Sequence, residues 1–294
     1  GTPQPPPIAT LAQTLGVPVL QPEDLSDPEG LQALQAHGPD VLVACAYGQI
    51  IRQPVLDAVE SIVVHPSLVP RWRGAAPVER ALMAGETELG VCTLRMTAAV
   101  DEGPVGDERR VHVPREADAG RAYELLAPAA VAGVLATLER IAAGTQEWRP
   151  QEGEATYAAK IGAADKVIDW TRPATAIADQ VRALSPHIGA VTELAGRRTR
   201  VGRALAGHGA RPEAGAGRLA LPAGDGWVEE LAGRRTRIWR ASPGQGPLPA
   251  VTADRLVIAA GDGWLDVHEL QQEGRTRVGA AEFLRGAGRS LVSP

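Results

Sequence analysis

The densest chemistry in this 294-residue chain lies at Val64-His65-Pro66-Ser67-Leu68-Val69-Pro70-Arg71-Trp72-Arg73-Gly74-Ala75-Ala76-Pro77. An imidazole at the end of an apolar run can donate a hydrogen bond, take a proton or steady developing charge. The prolines stiffen the segment after it, and Arg71 and Arg73 make it cationic. A second stretch, Asp101-Glu102-Gly103, supplies a carboxylate. Close to His65, it would orient the ring and raise its basicity. Each feature taken singly has a plainer reading, a packed histidine and a solvated surface acid.

The elements that must hold these residues can be read from spacing. Ser61-Ile62-Val63-Val64-His65 predicts a strand, and Ala75 to Ala84 a helix. His65 therefore sits where a strand runs into a loop, the end of an open α/β sheet at which ligands usually bind. Asp40 to Tyr47 is near-continuously apolar, as in a strand covered on both faces. Cys45 within it is expected to be a buried structural thiol. Gly90 to Met96 predicts a third strand and Val111 to Val113 a fourth. Helices are predicted at 8–16, 25–37, 53–59, 119–143 and 175–184, and a short strand at Val17 to Leu20. Strands alternating with helices give an α/β domain over 1–145. Polar residues 146–160 read as a linker. From 161 to 294 lies a second domain, and after Pro186 its short β-like runs between Gly-rich turns suggest a small β-barrel.

That second domain contains an internal duplication. Glu193-Leu194-Ala195-Gly196-Arg197-Arg198-Thr199-Arg200 recurs at Glu230 to Arg237, and Gly224-Asp225-Gly226-Trp227 at Gly261 to Trp264. Both offsets are 37 residues, too few copies for a solenoid. Trp227 and Trp264 read as core positions rather than as nucleotide-stacking platforms.

Composition narrows the function. Net charge is −5, which argues against a dedicated basic DNA-binding protein. The halves differ, however. Residues 1–185 hold 15 Lys+Arg and 24 Asp+Glu (−9), and residues 186–294 hold 15 Arg and 11 Asp+Glu (+4). A basic half on an acidic protein can be a nucleic-acid footprint. No CxxC or zinc-ligand spacing surrounds the two cysteines, which fits a reducing cytoplasm. No apolar run is expected to reach the roughly 20 residues of a membrane helix, so no membrane partner is expected.

The segment His65 to Pro77 closely resembles the signature loop of the methionyl-tRNA formyltransferases. Related folate formyl-transfer enzymes share its Ser67-Leu68-Val69-Pro70 core, with leucine in place of Val69. The Arg71-Trp72-Arg73-Gly74-Ala75-Ala76-Pro77 form is that of the tRNA enzymes. Ala46-Tyr47-Gly48, Gly90-Val91, Met96 to Gly103, Ala155 to Ile161 and Ile168-Asp169-Trp170 fit the same family. The resemblance implies a Rossmann-like domain followed by an OB-like barrel. It implies 10-formyltetrahydrofolate as donor, initiator methionyl-tRNA as acceptor and no metal. His65 and Asp101 then match two members of a catalytic trio. Ser67, Leu68, Val69, Pro70, Ala46, Tyr47 and Gly48 would contact folate. Arg71, Arg73, Arg197, Arg198, Arg200, Arg234, Arg235 and Arg237 are the tRNA candidates, and the enzyme is expected to work as a monomer.

Three departures follow. The family's Asn-x-His reads Val63-Val64-His65, and valine has no donor. Losing one oxyanion donor costs about 10²–10³ in turnover, so an impaired enzyme is expected. Pro5 to Ile8 aligns with the loop after the family's second strand, which leaves raw sheet edges and a tendency to associate. The duplication also adds a unit beyond the family barrel. These departures keep two alternatives in view: a weakly catalytic folate- and tRNA-binding remnant, and a formyltransferase for a sugar-nucleotide or purine-precursor amine.

Overall fold

The computed structural model describes residues 5–169 and 171–194. Beyond these it describes 197–201, 206–208, 219–220, 222–223, 226–227, 236–242, 256–259, 263–272 and 276–282.

The first part contains α1 (Pro7–Thr14), α2 (Pro28–His37), β1 (Val41–Cys45), α3 (Gln53–Ala58), β2 (Glu60–His65), α4 (Pro77–Met83), β3 (Glu88–Arg95), β4 (Val105–His112) and α5 (Ala119–Ala142). Helix α2 starts later than its apolar spacing suggests, because the Asp27 carboxylate caps it by accepting from Gly30 N–H at 2.6 Å. It stops at Gly38, which takes the left-handed conformation (φ 54°). Asp118 caps α5 in the same way, accepting from Arg121 N–H at 2.9 Å. Val17 to Leu20 is not a strand.

The sheet order is β1-β2-β3-β4. β1 and β2 are parallel, whereas β2–β3 and β3–β4 are antiparallel. β1 is thus an edge strand, and its outer side lacks the cover its apolar run suggested. Val43 is 41% exposed and Cys45 is exposed, which corrects the expectation of a buried thiol there. The buried thiol is Cys92 of β3, opposite His65 in register. Burial pushes its pKa up to about 11. In the native protein a thiol reagent should therefore label Cys45 alone, with Cys92 reacting only after unfolding. The same shift makes the folded state lose stability as pH rises from 9.0 through about 11, because the unfolded thiol ionises first. Mass spectrometry of the labelled protein checks the assignment, and native labelling at Cys92 would contradict it.

β2 separates two apolar layers. Val64 packs with Val78, Leu82, Leu89, Val91 and Leu126, between the sheet and helices α4 and α5. Val63, on the opposite face by strand alternation, touches two other clusters. One is built on Ala44, Ile51, Val55 and Val59, the other on Val69, Cys92, Leu94 and Val105. Helix α5 is long and apolar enough to cross a membrane by length and composition, contrary to the expectation of no such run. Here it lies along the sheet, burying Ala119, Ala122, Leu126, Gly133 and Thr137.

Residues 146–160, expected as a linker, lie across this domain as a bonded strap. Val105 and Arg149 exchange two main-chain hydrogen bonds (2.7 and 2.9 Å). Thr156 N–H donates to Pro70 O, Arg73 N–H to Thr156 O, and Ala75 N–H to Ala158 O. After a 3-10 turn at Ala164–Lys166, helix α6 (Ala174–Leu184) packs against α4. It buries Arg182, which is 1% exposed.

The remaining segments are β5 (Ala190–Leu194), β6 (Arg197–Val201), β7 (Ala206–His208), β8 (Leu219–Ala220), β9 (Pro222–Ala223), β10 (Gly226–Trp227), β11 (Thr236–Ser242), β12 (Leu256–Ala259), β13 (Gly263–Gln272) and β14 (Arg277–Gly279). β9 and β10 pair together, while β5-β6-β11-β13-β12-β8 form one sheet, with β7 and β14 also on β13. The two repeat copies meet there. β6 and β11 are parallel, with Val201 opposite Ile238. Arg200 and Arg237, equivalent by the 37-residue offset, each precede a member of that pair. Arg234 and Arg235 lie outside the described residues.

Candidate functional site

His65 ends β2 and is 4% exposed. Its Nε2 lies 2.9 Å from Trp72 O. A carbonyl only accepts, so Nε2 is the donor there, and a bond from the other ring nitrogen to a carboxylate needs a second ring proton. Nδ1 faces Asp101 Oδ2 at 3.4 Å. That oxygen also accepts from Gly74 N–H at 2.8 Å. The chain thus brings together the two residues singled out for chemistry, 36 positions apart, in a largely dry setting. The 3.4 Å separation is long for a hydrogen bond.

The route by which Asp101 arrives is not the one strand order suggested. β3 runs antiparallel to β2, so its loop leaves at the end of β2 remote from His65. That loop folds back along the sheet to reach the ring. The fold-back needs a left-handed residue at Asp101, φ 56°. Trp72 (φ 61°) and Ala46 (φ 47°) are the other non-glycine residues with positive φ among the described residues. They belong to the loops that follow β2 and β1, so all three lie in loops that follow the first three strands. Each such conformation costs about 1–3 kcal/mol and persists only where surrounding contacts enforce it; clustering of this kind is typical of functional sites.

Around this pair the predicted folate residues divide. Ser67, Leu68, Val69 and Pro70 line a cleft of about 630 Å³, together with the start of β3 and the strap. Ser67 Oγ donates to Arg71 O at 2.8 Å, which folds the loop on itself. Val69 is buried against Cys92, Leu94 and Val105, so the change from leucine is absorbed by an apolar contact. Leu68 lies over Gly90, where a Cβ would come within 2.3 Å of the leucine Cδ2. Ala46, Tyr47 and Gly48 follow β1 and are exposed. Neither they nor His65 nor Asp101 lines this cleft.

The two loop arginines also differ from the expectation that both face tRNA. Arg73 donates through Nε (3.0 Å) and Nη2 (2.8 Å) to Gln151 Oε1, and its Nη1 pairs with Glu102 at 3.2 Å. Its side chain is 13% exposed, so Arg73 is a scaffold residue. Arg71 is the exposed one. It pairs with Glu86, which also accepts from Trp72 Nε1 at 3.0 Å, and it stacks over the Trp72 ring at 5.7 Å. Arg197, Arg198 and Arg200 lie on β6 and Arg237 on β11, far along the chain from the loop.

Two residues essential to this geometry carry no signal in the sequence, Glu86 and Gln151, while Gly74, whose N–H holds Asp101, lies in the signature loop but was not singled out there. Gln151 stands in a polar stretch with no periodicity, and only the folded strap brings it to the site. Val63 is half-buried, and its methyls meet apolar neighbours on two sides. It offers nothing to a reacting oxygen.

The formyl transferase family matches residues 3–138, and the formyl transferase C-terminal domain matches residues 160–288. The chain is 38% identical to a methionyl-tRNA formyltransferase from Symbiobacterium thermophilum, over 97% of its own length and 80% of the relative's. It is 37% identical to one from Paracoccus denitrificans, over 97% and 84%. Among solved structures it shares its fold with HypX from Aquifex aeolicus in complex with tetrahydrofolic acid (TM-score 0.62, 20% identity). That match covers 89% of this chain and 41% of HypX, so the chain spans about two fifths of that protein. It also shares its fold with a methionyl-tRNA formyltransferase from Clostridium thermocellum (TM-score 0.53, 16% identity, 67% of this chain and 86% of that one). The close sequence likeness over nearly the whole chain, with matches to both domains, makes this chain a member of the methionyl-tRNA formyltransferase family.

Proposed function

We propose that this chain transfers a formyl group from 10-formyltetrahydrofolate to the amino group of initiator methionyl-tRNA in the cytoplasm, at a rate depressed by Val63. The observation that carries the reading is the buried His65–Asp101 pair beside the Arg71–Pro77 form of the loop. The methionyl amine attacks the formyl carbon, a new C–N bond forms, and negative charge grows on the formyl oxygen. The bond to folate N10 then breaks, the amine loses a proton, and N10 gains one.

His65 supplies an N–H to the oxygen, in the manner of an oxyanion donor. Its Nε2–H is taken by Trp72 O, so the formyl oxygen must replace that carbonyl as acceptor. Asp101 lies against Nδ1, bonds it when the ring carries a second proton, and helps the amine shed its own. On the tRNA side, Arg71 and the β6 and β11 arginines are the phosphate candidates.

A second reading, a folate- and tRNA-binding chain with little turnover, is favoured by one observation, the apolar packing of Val63. An N-formyltransferase from Helicobacter canadensis, solved in complex with folinic acid and dTDP-3-aminofucose, shares the fold (TM-score 0.57, 14% identity, 90% of this chain and 81% of that one), which makes acceptor choice the informative test. With 10-formyltetrahydrofolate and long incubation, charged initiator tRNA is expected to be formylated and an amino-sugar nucleotide is not. The rate should fall steeply with salt if phosphates are contacted. Formylation of the sugar nucleotide in preference to tRNA would refute the proposal.

A further inference from the structure

We infer that Gln151 is a positioning residue that sets Asp101 against His65, an inference resting on the formyl-transfer reading above. Its side-chain amide has every bonding capacity used. Nε2 donates to Asp101 O and to Gly103 O, both at 2.7 Å. Oε1 accepts from Arg73 Nε at 3.0 Å and Nη2 at 2.8 Å. The orientation is fixed by chemistry: carbonyls only accept and a guanidinium only donates, so a flipped amide would face mismatched partners on both sides.

The two carbonyls belong to the turn that carries Asp101 in its left-handed conformation. The guanidinium belongs to the loop whose next residue, Gly74, donates to the Asp101 carboxylate. One amide therefore grips the main chain of the acid and the loop that holds its side chain. Glu102 adds a parallel tie, pairing with Arg73 at 3.2 Å and accepting from Tyr157 OH at 3.2 Å. Gly103 leaves the turn little room to reshape, because a Cβ there would meet Arg95 O at 1.7 Å. The strap thus has a task beyond joining two domains. Its Gln151 determines where the carboxylate stands relative to the imidazole.

Two substitutions separate this role from general support. Gln151→Ala removes all four bonds. Gln151→Glu keeps the acceptors for Arg73 and removes both donors to the Asp101 turn. The readouts are the ¹⁵N signals of the His65 ring, kcat and KM for both substrates, and the unfolding temperature. Both variants should move the His65 ring signals toward those of Asp101→Asn. Both should also lower kcat by about 10- to 100-fold, with each KM within about twofold. Gln151→Glu should do so with an unfolding temperature close to that of the parent, and it decides the matter if Gln151→Ala folds poorly. Parent-like ring signals in Gln151→Glu would overturn the inference. So would a change confined to KM. If the parent chain transfers no formyl group at all, the function proposal fails, yet the ring signals still report whether Gln151 positions Asp101.

Discussion

Val63→Asn is expected to raise kcat for formyl transfer by up to about 10²–10³-fold, the range that is lost when a single oxyanion donor is removed. Val63 and His65 are two residues apart on β2, so their side chains leave the same face. Asparagine at 63 would therefore set an amide N–H₂ beside the imidazole. The cost is also legible in the packing. Val63 fills the seam between the Ala44–Val59 cluster and the Val69–Cys92–Leu94 cluster. Exchanging its methyls for an amide in a half-buried seam should destabilise the fold by about 1–3 kcal/mol. The variant thus becomes faster and less stable at once, a combination that general repair of the fold does not produce. Single-turnover kinetics and a thermal melt on the same samples test it. If Val63→Asn is no faster than its parent, valine is not the defect and the loss of rate must be sought elsewhere in the site.

How much of this was visible beforehand depends on range. Ser61 to His65 announced β2 by its apolar run, and the loop to Pro77 announced the family by its own residues. Both signals are local. Cys45 misled because a continuous apolar run normally means cover on both faces, and only sheet order shows β1 to be an edge. Asp101 was found by its loop, yet its route was hidden, because the antiparallel direction of β3 is a fact of pairing. Arg73 looked like a partner for tRNA phosphates. Its commitment to Gln151 and Glu102 arises from residues 78 and 29 positions away in the chain. Gln151 and Glu86 gave no cue at all, since a polar residue in a polar stretch acquires a role only from what folds against it. Local pattern therefore picked out His65 and Asp101, and long-range contacts supplied what holds them side by side.

Asp179→Ala is expected to be the most destabilising single change in helix α6, which packs the second matched domain against α4 of the first, at roughly 3–5 kcal/mol. Arg182 of α6 is buried at 1% exposure, with its guanidinium turned into the first domain. Its Nε donates to Asp179 Oδ1 at 2.7 Å, and its terminal nitrogens donate to Glu86 O (3.1 Å), Leu82 O (3.3 Å) and Ala117 O (3.5 Å). Asp179 also accepts from Arg115 at 3.0 Å. Removing the carboxylate leaves the three carbonyl dipoles in place and no counter-charge within the helix for a cation already taken out of water. Removing both charges is a different matter. Asp179→Leu with Arg182→Met should cost less than Asp179→Ala alone, because no ion then remains stranded, although the carbonyls lose a partner. The pair reaches the site through Glu86. Its carbonyl is held by Arg182 and its carboxylate by Arg71 and Trp72, and Trp72 O accepts the hydrogen bond from His65 Nε2. The double variant should therefore regain much of its stability while its kcat stays below that of the parent, since Glu86 has lost one of its anchors. Denaturant unfolding of the single and double variants, alongside turnover, separates the two effects. A double variant no more stable than Asp179→Ala would show that the carbonyl bonds, and not the ion pair, hold α6 against the catalytic domain.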